Sequence, residues 1–356
     1  MKIALIGRYG EGEILPGPER VARELYLQLK QNNIDVTFIE YFFSGYGDYS
    51  LFKKIFGKKI NHNNVLRLGI VPMTVKLIKE QLDIIHFINI QRFSLLIFFL
   101  KPFLKAKFIS TLHGLNKTEV KESALNRTFL DIWVEKKSIS KSDALIFPSK
   151  YLFDLFNMNY SLTENKCSVI HNGISKVFAK NKIKFRDKEV YNFVYYNSFG
   201  KGLKGLLNEL HVEFKLPVRI FVIGNSEKFE NLNSNIEIYF VPPMSQTSLL
   251  QFLSDKHFII KSSVSGFDAF PTITIECMAM GIIPVVSEST GIREIIENKI
   301  NGFIYIEGNE LSKLLKEIFD GKFNLNEISM NASRIYEKLN WDNVSEKYIT
   351  LYKSVL

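Results

Sequence analysis

The sequence predicts an α/β protein built from two Rossmann-like, doubly wound parallel-sheet domains facing a cleft. Three observations predict it. The chain has 356 residues, too many for one ordinary hydrophobic core and suited to two. Short apolar or β-branched runs alternate with longer helical patterns, the arrangement of parallel strands joined by crossover helices. The same alternation then begins afresh in the second half of the chain.

In the first half, residues 2–6, 35–39, 83–87, 108–112 and 144–148 read as strands, and 19–31 as a helix. Each run is short and apolar, as expected of strands covered on both faces. In the second half, residues 193–196, 219–223, 236–241, 258–261 and 283–287 read as strands separated by helices. The stretch 172–187 between the halves is polar and lysine-rich and is expected to be the hinge. This divides the chain into domains at 1–174 and 175–335 and a terminal segment, 336–356. Open α/β sheets bind ligands outside the carboxyl ends of their strands, so the loops that follow strands are where chemistry is expected.

Composition narrows the class. Hydrophobic residues make up 46% and charged residues 23%, which excludes a disordered or fibrous chain. The amino terminus turns polar at once, and the apolar stretch 93–100 stops at Lys101-Pro102, far short of the roughly 20 residues that span a bilayer. A cytoplasmic protein is expected, either free or peripheral on the inner face of the membrane. Cys167 and Cys277 lie far apart without metal-ligand spacing, so both are expected to be buried thiols and no metal site is suggested.

The net charge of +9 favours an anionic partner. Lys53, Lys54, Lys58 and Lys59 are interleaved with Phe42, Phe43, Tyr46, Phe52 and Phe56, and further basic residues follow at Arg67, Lys76, Lys79, Lys101, Lys105 and Lys107. An anionic membrane surface fits this interleaving, because aromatics insert while lysines meet headgroups. A solvated basic face over core aromatics fits it equally. No nucleic-acid-binding module is present, so nucleic acid is not an expected partner.

The segment from Gly266 to Gly281 carries two carboxylates eight positions apart, Asp268 and Glu276. Thr272 is expected to cap a helix running to Gly281, with Asp268 on the preceding loop and Glu276 little more than one turn inside. Such a helix end suits a diphosphate, and the carboxylates suit sugar hydroxyls. Upstream, Gly200-Lys201-Gly202-Leu203-Lys204-Gly205 opens the second domain's first helix, and downstream Ser287 to Gly291 precede Arg293-Glu294. In the first half, Gly7 through Gly17 join the first strand to the first helix, and His86 and His113 each end a strand.

In this order the segments resemble glycosyltransferase family 4, the retaining GT-B enzymes also grouped as glycosyl transferases group 1. Residues 266–281 are similar to the family's Glu-Gly-Phe-Pro and Glu-Ala-Met-Ala-x-Gly elements, with Asp268 in place of the first glutamate. The resemblance implies that Asp268 contacts the transferred sugar and Glu276 the ribose hydroxyls. It places Lys204-Gly205 in the basic phosphate clamp, with Phe199 where the family has arginine and Lys201 as its substitute. Thr-x-His-Gly around His113 resembles the strand end whose histidine faces the donor sugar; His86 matches a family position too, but a lone histidine on an apolar strand is more often a core residue. Thr290, Gly291 and Glu294 resemble a turn approaching the donor phosphates, Thr290 replacing a glycine. Gly17 resembles one glycine of the family's glycine loop. Trp341 through Tyr352 resembles the terminal helix that returns to the first domain.

The resemblance thus implies catalytic positions at His113, Lys204, Asp268 and Glu276. It implies donor-binding positions at Gly17, Lys201, Gly205, Phe270, Pro271, Thr272, Thr290, Gly291 and Glu294, with no metal and no cofactor. The implied reaction moves a sugar from a UDP- or GDP-linked donor to a glycan or lipid-linked acceptor, in polysaccharide or glycoconjugate biosynthesis. The acceptor hydroxyl attacks on the face the nucleoside diphosphate leaves, and Lys204, the helix dipole at Thr272 and His113 stabilise the departing charge. The alternative is a degenerate GT-B protein that binds a sugar nucleotide or serves as a scaffold subunit without transfer, motivated by Asp268, Phe199 and Thr290. A sugar-nucleotide epimerase on the same fold fits the spacing less well.

Overall fold

The computed structural model describes residues 1–10, 12–42, 49–61, 63–117, 128–183, 190–197, 202–210, 217–224, 235–262, 270–306 and 310–356, with the side chains of Asn197, Lys204 and Glu209 outside that description. The chain forms two compact units, Met1–Asn172 with Trp341–Leu356, and Gly173–Asn340. Part of the stretch expected as hinge is built into the second unit. There the helix Lys176–Lys180 buries Phe178, and the Ile183 amide donates to the Met280 carbonyl at 2.8 Å.

The first unit holds strands β1 (Lys2–Ile6), β2 (Asp35–Tyr41), β3 (Lys58–Ile60), β4 (Leu66–Leu68), β5 (Ile84–Phe87), β6 (Lys107–Thr111), β7 (Ala144–Phe147) and β8 (Cys167–Val169), in the sheet order β3-β4-β2-β1-β5-β6-β7-β8. All neighbours are parallel except β3 and β4, which pair antiparallel. The sequence reading did not separate β3, β4 or β8, each only three residues long. Runs that short carry too little periodicity to be seen against their flanks.

Side-chain alternation builds the core. Ile3 and Leu5 of β1 enter one cluster and Ala4 and Ile6 enter another, so both faces of the sheet are covered. The helix Trp341–Val355 lays Trp341, Val344, Tyr348 and Tyr352 into the first of these. His86 anchors it: one ring nitrogen lies 2.7 Å from the Tyr352 hydroxyl and the other 2.8 Å from Thr111 Oγ1. Burial, reinforced by nearby His113, pushes the His86 pKa down to about 3, so the ring is a neutral core residue.

The second unit holds β9 (Tyr191–Asn197), β10 (Val218–Gly224), β11 (Ile236–Val241), β12 (Phe258–Lys261), β13 (Ile283–Ser287) and β14 (Phe303–Tyr305), all parallel, in the order β11-β10-β9-β12-β13-β14. Phe193 and Tyr195 face one core cluster and Val194 the other. The ends of the unit meet: the Ile174 amide donates to the Leu339 carbonyl at 2.7 Å. Cys277 is a buried thiol with its pKa raised by burial, whereas Cys167 is only half-buried on the short edge strand β8, contrary to expectation. Among the described residues no helix is long and apolar enough to cross a membrane.

Candidate active site

The second sheet begins at β9 and grows outward in both directions, to β10 on one side and β12 on the other. The connections after these strands therefore diverge, leaving a crevice at the carboxyl ends of β9 and β12. The chain puts its motif segments there. The helix Gly202–Glu209 follows β9, the helix Thr272–Met280 follows β12, and the Ser287–Gly291 turn follows the adjacent β13.

The helix Thr272–Met280 is buried along its whole length. It ends at Gly281, whose φ of 90° lets the Ile282 amide turn back to the Cys277 carbonyl at 3.0 Å. At its start the structure corrects the sequence reading. The N-cap is Pro271, whose side chain makes no capping hydrogen bond, and Thr272 is the first helical residue. Proline suits that boundary because its extended backbone (ψ 121°) hands the chain to the helix, and it brings no hydroxyl or carboxylate to compete for the first amides. The positive end of the helix dipole thus stands at the crevice. Glu276 lies one turn inside, 3% exposed. Phe270, expected at the donor, is 4% exposed and belongs to the same buried core cluster as Val194, Ile259 and Met278.

Asp268, Lys201 and Phe199 lie outside the described residues. Lys204 occupies the first turn of its helix, and Gly205 follows it with nothing within 4 Å of the position a Cβ would take. Gly205 is therefore not demanded by packing, and the space beside it is open. Thr290 departs from its expected role. Its hydroxyl donates to the Ser287 carbonyl at 2.8 Å, its amide donates to the same oxygen at 3.3 Å, and the residue is 3% exposed. Neither group is left to donate to a phosphate. Gly291 opens the 3-10 turn Gly291–Ile295 in a buried position, and Glu294 is exposed.

The first sheet has the same construction, with β1 flanked by β2 and β5 and the crevice at the ends of β1 and β5. Gly17 is not the residue that gives the β1 loop its shape. It opens the helix Gly17–Gln31 behind Pro16, while the left-handed positions are Gly10 (φ 81°) and Gly12 (φ 104°). Gly7 is required by contact, since a Cβ there would stand 2.6 Å from Ile88 Cγ2 and 2.8 Å from Asn89 Oδ1. Asn89 ties the two loops, accepting from the Arg8 amide at 3.1 Å and donating to the Pro18 carbonyl at 3.4 Å. The sequence placed Gly7 in this loop without a role of its own and missed Asn89, for which the available signal was a polar residue just after an apolar strand.

His113 follows β6, and its Nε2 lies 2.9 Å from the Ile88 carbonyl. A carbonyl only accepts, so Nε2 carries the proton and Nδ1 presents a lone pair. Burial pushes the His113 pKa down to about 4, offset in part by that hydrogen bond. Near neutral pH the ring is uncharged. His113 can accept a hydrogen bond from a sugar hydroxyl, but it cannot lend positive charge to a departing phosphate, as the sequence reading expected.

Comparison with known proteins gives the family. The pattern of Glycosyltransferase Family 4 matches residues 16–176, and that of Glycosyl transferases group 1 matches residues 176–334. Among curated relatives, an uncharacterized glycosyltransferase of Methanocaldococcus jannaschii is 22% identical over 62% of each chain. One of Haemophilus influenzae is 28% identical over 51% of this chain and 52% of its own. The chain thus spans between about half and two thirds of the length of these relatives. Similar solved structures include sucrose-phosphate synthase from Thermosynechococcus elongatus (TM-score 0.75, 14% identity, 99% and 98% of the two chains). The lipopolysaccharide outer core galactosyltransferase WaaB is a second (0.71, 18%, 100% of both). Anabaena HepE in complex with UDP-glucose is a third (0.69, 14%, 99% and 100%). These likenesses identify the GT-B fold.

Proposed function

Because the chain belongs to the glycosyl transferases of group 1, with a family 4 amino-terminal domain, we propose that it is a retaining glycosyltransferase that takes a sugar from a nucleotide donor to a glycan or lipid-linked acceptor hydroxyl. The observation that carries this reading is the helix Thr272–Met280, whose amino end heads the β9/β12 crevice with Glu276 buried one turn behind it. A helix end of this kind attracts the diphosphate, and a buried carboxylate is suited to gripping a pair of ribose hydroxyls. Lys204, on the helix that follows β9, is the cation expected to meet the diphosphate. UDP is the favoured nucleotide, since Anabaena HepE is similar in fold and its complexes contain UDP and UDP-glucose. A glycan acceptor is favoured by the likeness to WaaB, a lipopolysaccharide outer core galactosyltransferase.

In the proposed reaction the bond between the anomeric carbon and the diphosphate breaks as the acceptor hydroxyl adds on the same face, and the departing phosphate takes the hydroxyl proton. Lys204 and the helix amides meet the charge that develops on the diphosphate, which is usually the largest electrostatic contribution to such a step. His113 takes a smaller part, orienting a sugar hydroxyl through its unprotonated Nδ1. Chelation of divalent metal is expected to leave turnover unchanged. The test is donor consumption, followed by mass spectrometry across UDP- and GDP-sugars with candidate acceptors. Transfer that disappears in Lys204→Ala supports the reading. Donor binding without turnover across the set favours the scaffold alternative, for which the internally bonded Thr290 is the structural motive.

A further inference from the structure

We propose that the helix Leu51–Phe56 and strand β3 form a docking face for an anionic lipid bilayer. The helix has no buried residue. Leu51 and Phe52 are each 71% exposed, Phe56 53% and Ile60 of β3 57%. The rings of Phe52 and Phe56 lie side by side, with centroids 5.4 Å apart. Four large apolar side chains within ten residues thus face outward, a concentration that marks an interaction surface rather than scattered exposure.

Their outward orientation is built in. The Gly57 amide donates to the Lys53 carbonyl and the Gly69 amide to the Gly57 carbonyl, both at 2.8 Å. A Cβ on Gly57 would come within 2.3 Å of the Lys53 carbonyl oxygen, and one on Gly69 within 2.7 Å of the Ile55 carbonyl oxygen. The two glycines let the helix lie directly against the start of the next helix, Ile70–Lys79, with backbone touching backbone. That neighbour adds a stripe of its own, with Val71, Val75 and Ile78 all exposed.

Charge selects the partner. Lys53, Lys58 and Lys59 are exposed among these apolar side chains, and no acidic residue occurs between Tyr49 and Lys79. Phenylalanine and leucine at the level of the acyl boundary, with lysines at the headgroups, satisfy both halves of the surface at once in an anionic bilayer. A nucleic acid would use the lysines and leave Leu51 and Ile60 without a partner. The proposal does not depend on the transfer reaction, because its readout is lipid binding alone.

Co-sedimentation with vesicles tests it, comparing phosphatidylglycerol and phosphatidylcholine in equal parts with phosphatidylcholine alone. The wild-type chain is expected to bind the anionic vesicles at least about tenfold more tightly than the neutral ones, and added salt to weaken that binding. The double variant Phe52→Ser/Phe56→Ser is expected to lose at least about tenfold while melting at the wild-type temperature, since neither ring is buried. Lys58→Gln/Lys59→Gln is expected to lose the preference for anionic lipid. Failure of the wild-type chain to bind, equal binding by the serine variant, or indifference to lipid charge would each overturn the proposal. So would a dimer in solution that the serine substitutions dissociate, which would assign the face to a second copy of the chain.

Discussion

The two sheets repeat one construction at their crevices and fill it with opposite chemistry. In both, a central strand is flanked on each side by strands reached through diverging connections, β1 between β2 and β5 and β9 between β10 and β12. At the β1/β5 crevice the groups carry no charge: Gly7 abuts Ile88 and Asn89, Asn89 bonds both loops, and His113 is neutral with its Nε2 proton committed to Ile88. The β9/β12 crevice instead presents charge: the amino end of the helix Thr272–Met280 and, one turn inside it, the buried carboxylate Glu276. A shared fold thus fixes where a site can form, while the loop residues decide whether it carries charge or only shape.

That contrast can be broken in several ways, beginning with the largest effect. Lys204→Ala is expected to lower kcat by about 10²–10³-fold, the range for removing one electrostatic donor from a transition state, with the melting temperature unchanged. Glu276→Gln is expected to lower kcat/KM by about 10²-fold, with the loss mostly in KM if the carboxylate holds ribose equally in ground and transition states. Unchanged steady-state kinetics would remove either residue from the site.

The paired glycines sharpen the same contrast through stability. Gly7→Ala forces a Cβ into Ile88 and Asn89 and is expected to cost about 1–3 kcal/mol in denaturant unfolding. Gly205→Ala meets nothing and, on a helix, is expected to leave stability equal or raised by up to about 1 kcal/mol. If Gly205→Ala nevertheless reduces donor affinity, close approach of the ligand at that point is the reason.

Acid should expose the neutral histidines. The folded pKa values of His86 (about 3) and His113 (about 4) lie below the unfolded value of about 6.5, so below pH 6.5 the unfolded chain binds protons that the folded chain refuses. Stability from this source is complete above that pH. It falls by about 1.4 kcal/mol per pH unit for each histidine as pH drops toward the folded value. Urea unfolding between pH 7 and 4 should show the decline, and His86→Phe should reduce its slope; a flat profile would mean that the rings are accessible to protons. The smallest effect belongs to Thr290→Val, which removes the hydroxyl bond to Ser287 and is expected to cost about 1 kcal/mol of stability with little change in kcat.

Strands were legible where the apolar or β-branched run is four residues or longer, and β11, β12 and β13 were read with their observed bounds. The missed strands are the three-residue ones nearer the sheet edges, where the apolar run is too short to separate from turn residues. At the sites, residue type and order pointed to the segments. The state of individual groups was not readable, because it depends on contacts distant in sequence. Nothing in Thr-Leu-His-Gly says that the His113 proton is tied to Ile88, and nothing around Thr290 says that its hydroxyl turns inward. The Thr272 cap was misplaced for a local reason, since Thr is a common N-cap and the boundary fell one residue earlier, at Pro271.

The central claim is that a nucleoside diphosphate sits at the carboxyl ends of β9 and β12. Amide hydrogen exchange of the whole chain with and without UDP tests it most directly. Slowed exchange concentrated in residues 202–210 and 270–280, and abolished in Lys204→Ala, is the predicted result. Protection confined to other parts of the chain, or none at saturating UDP, would contradict it.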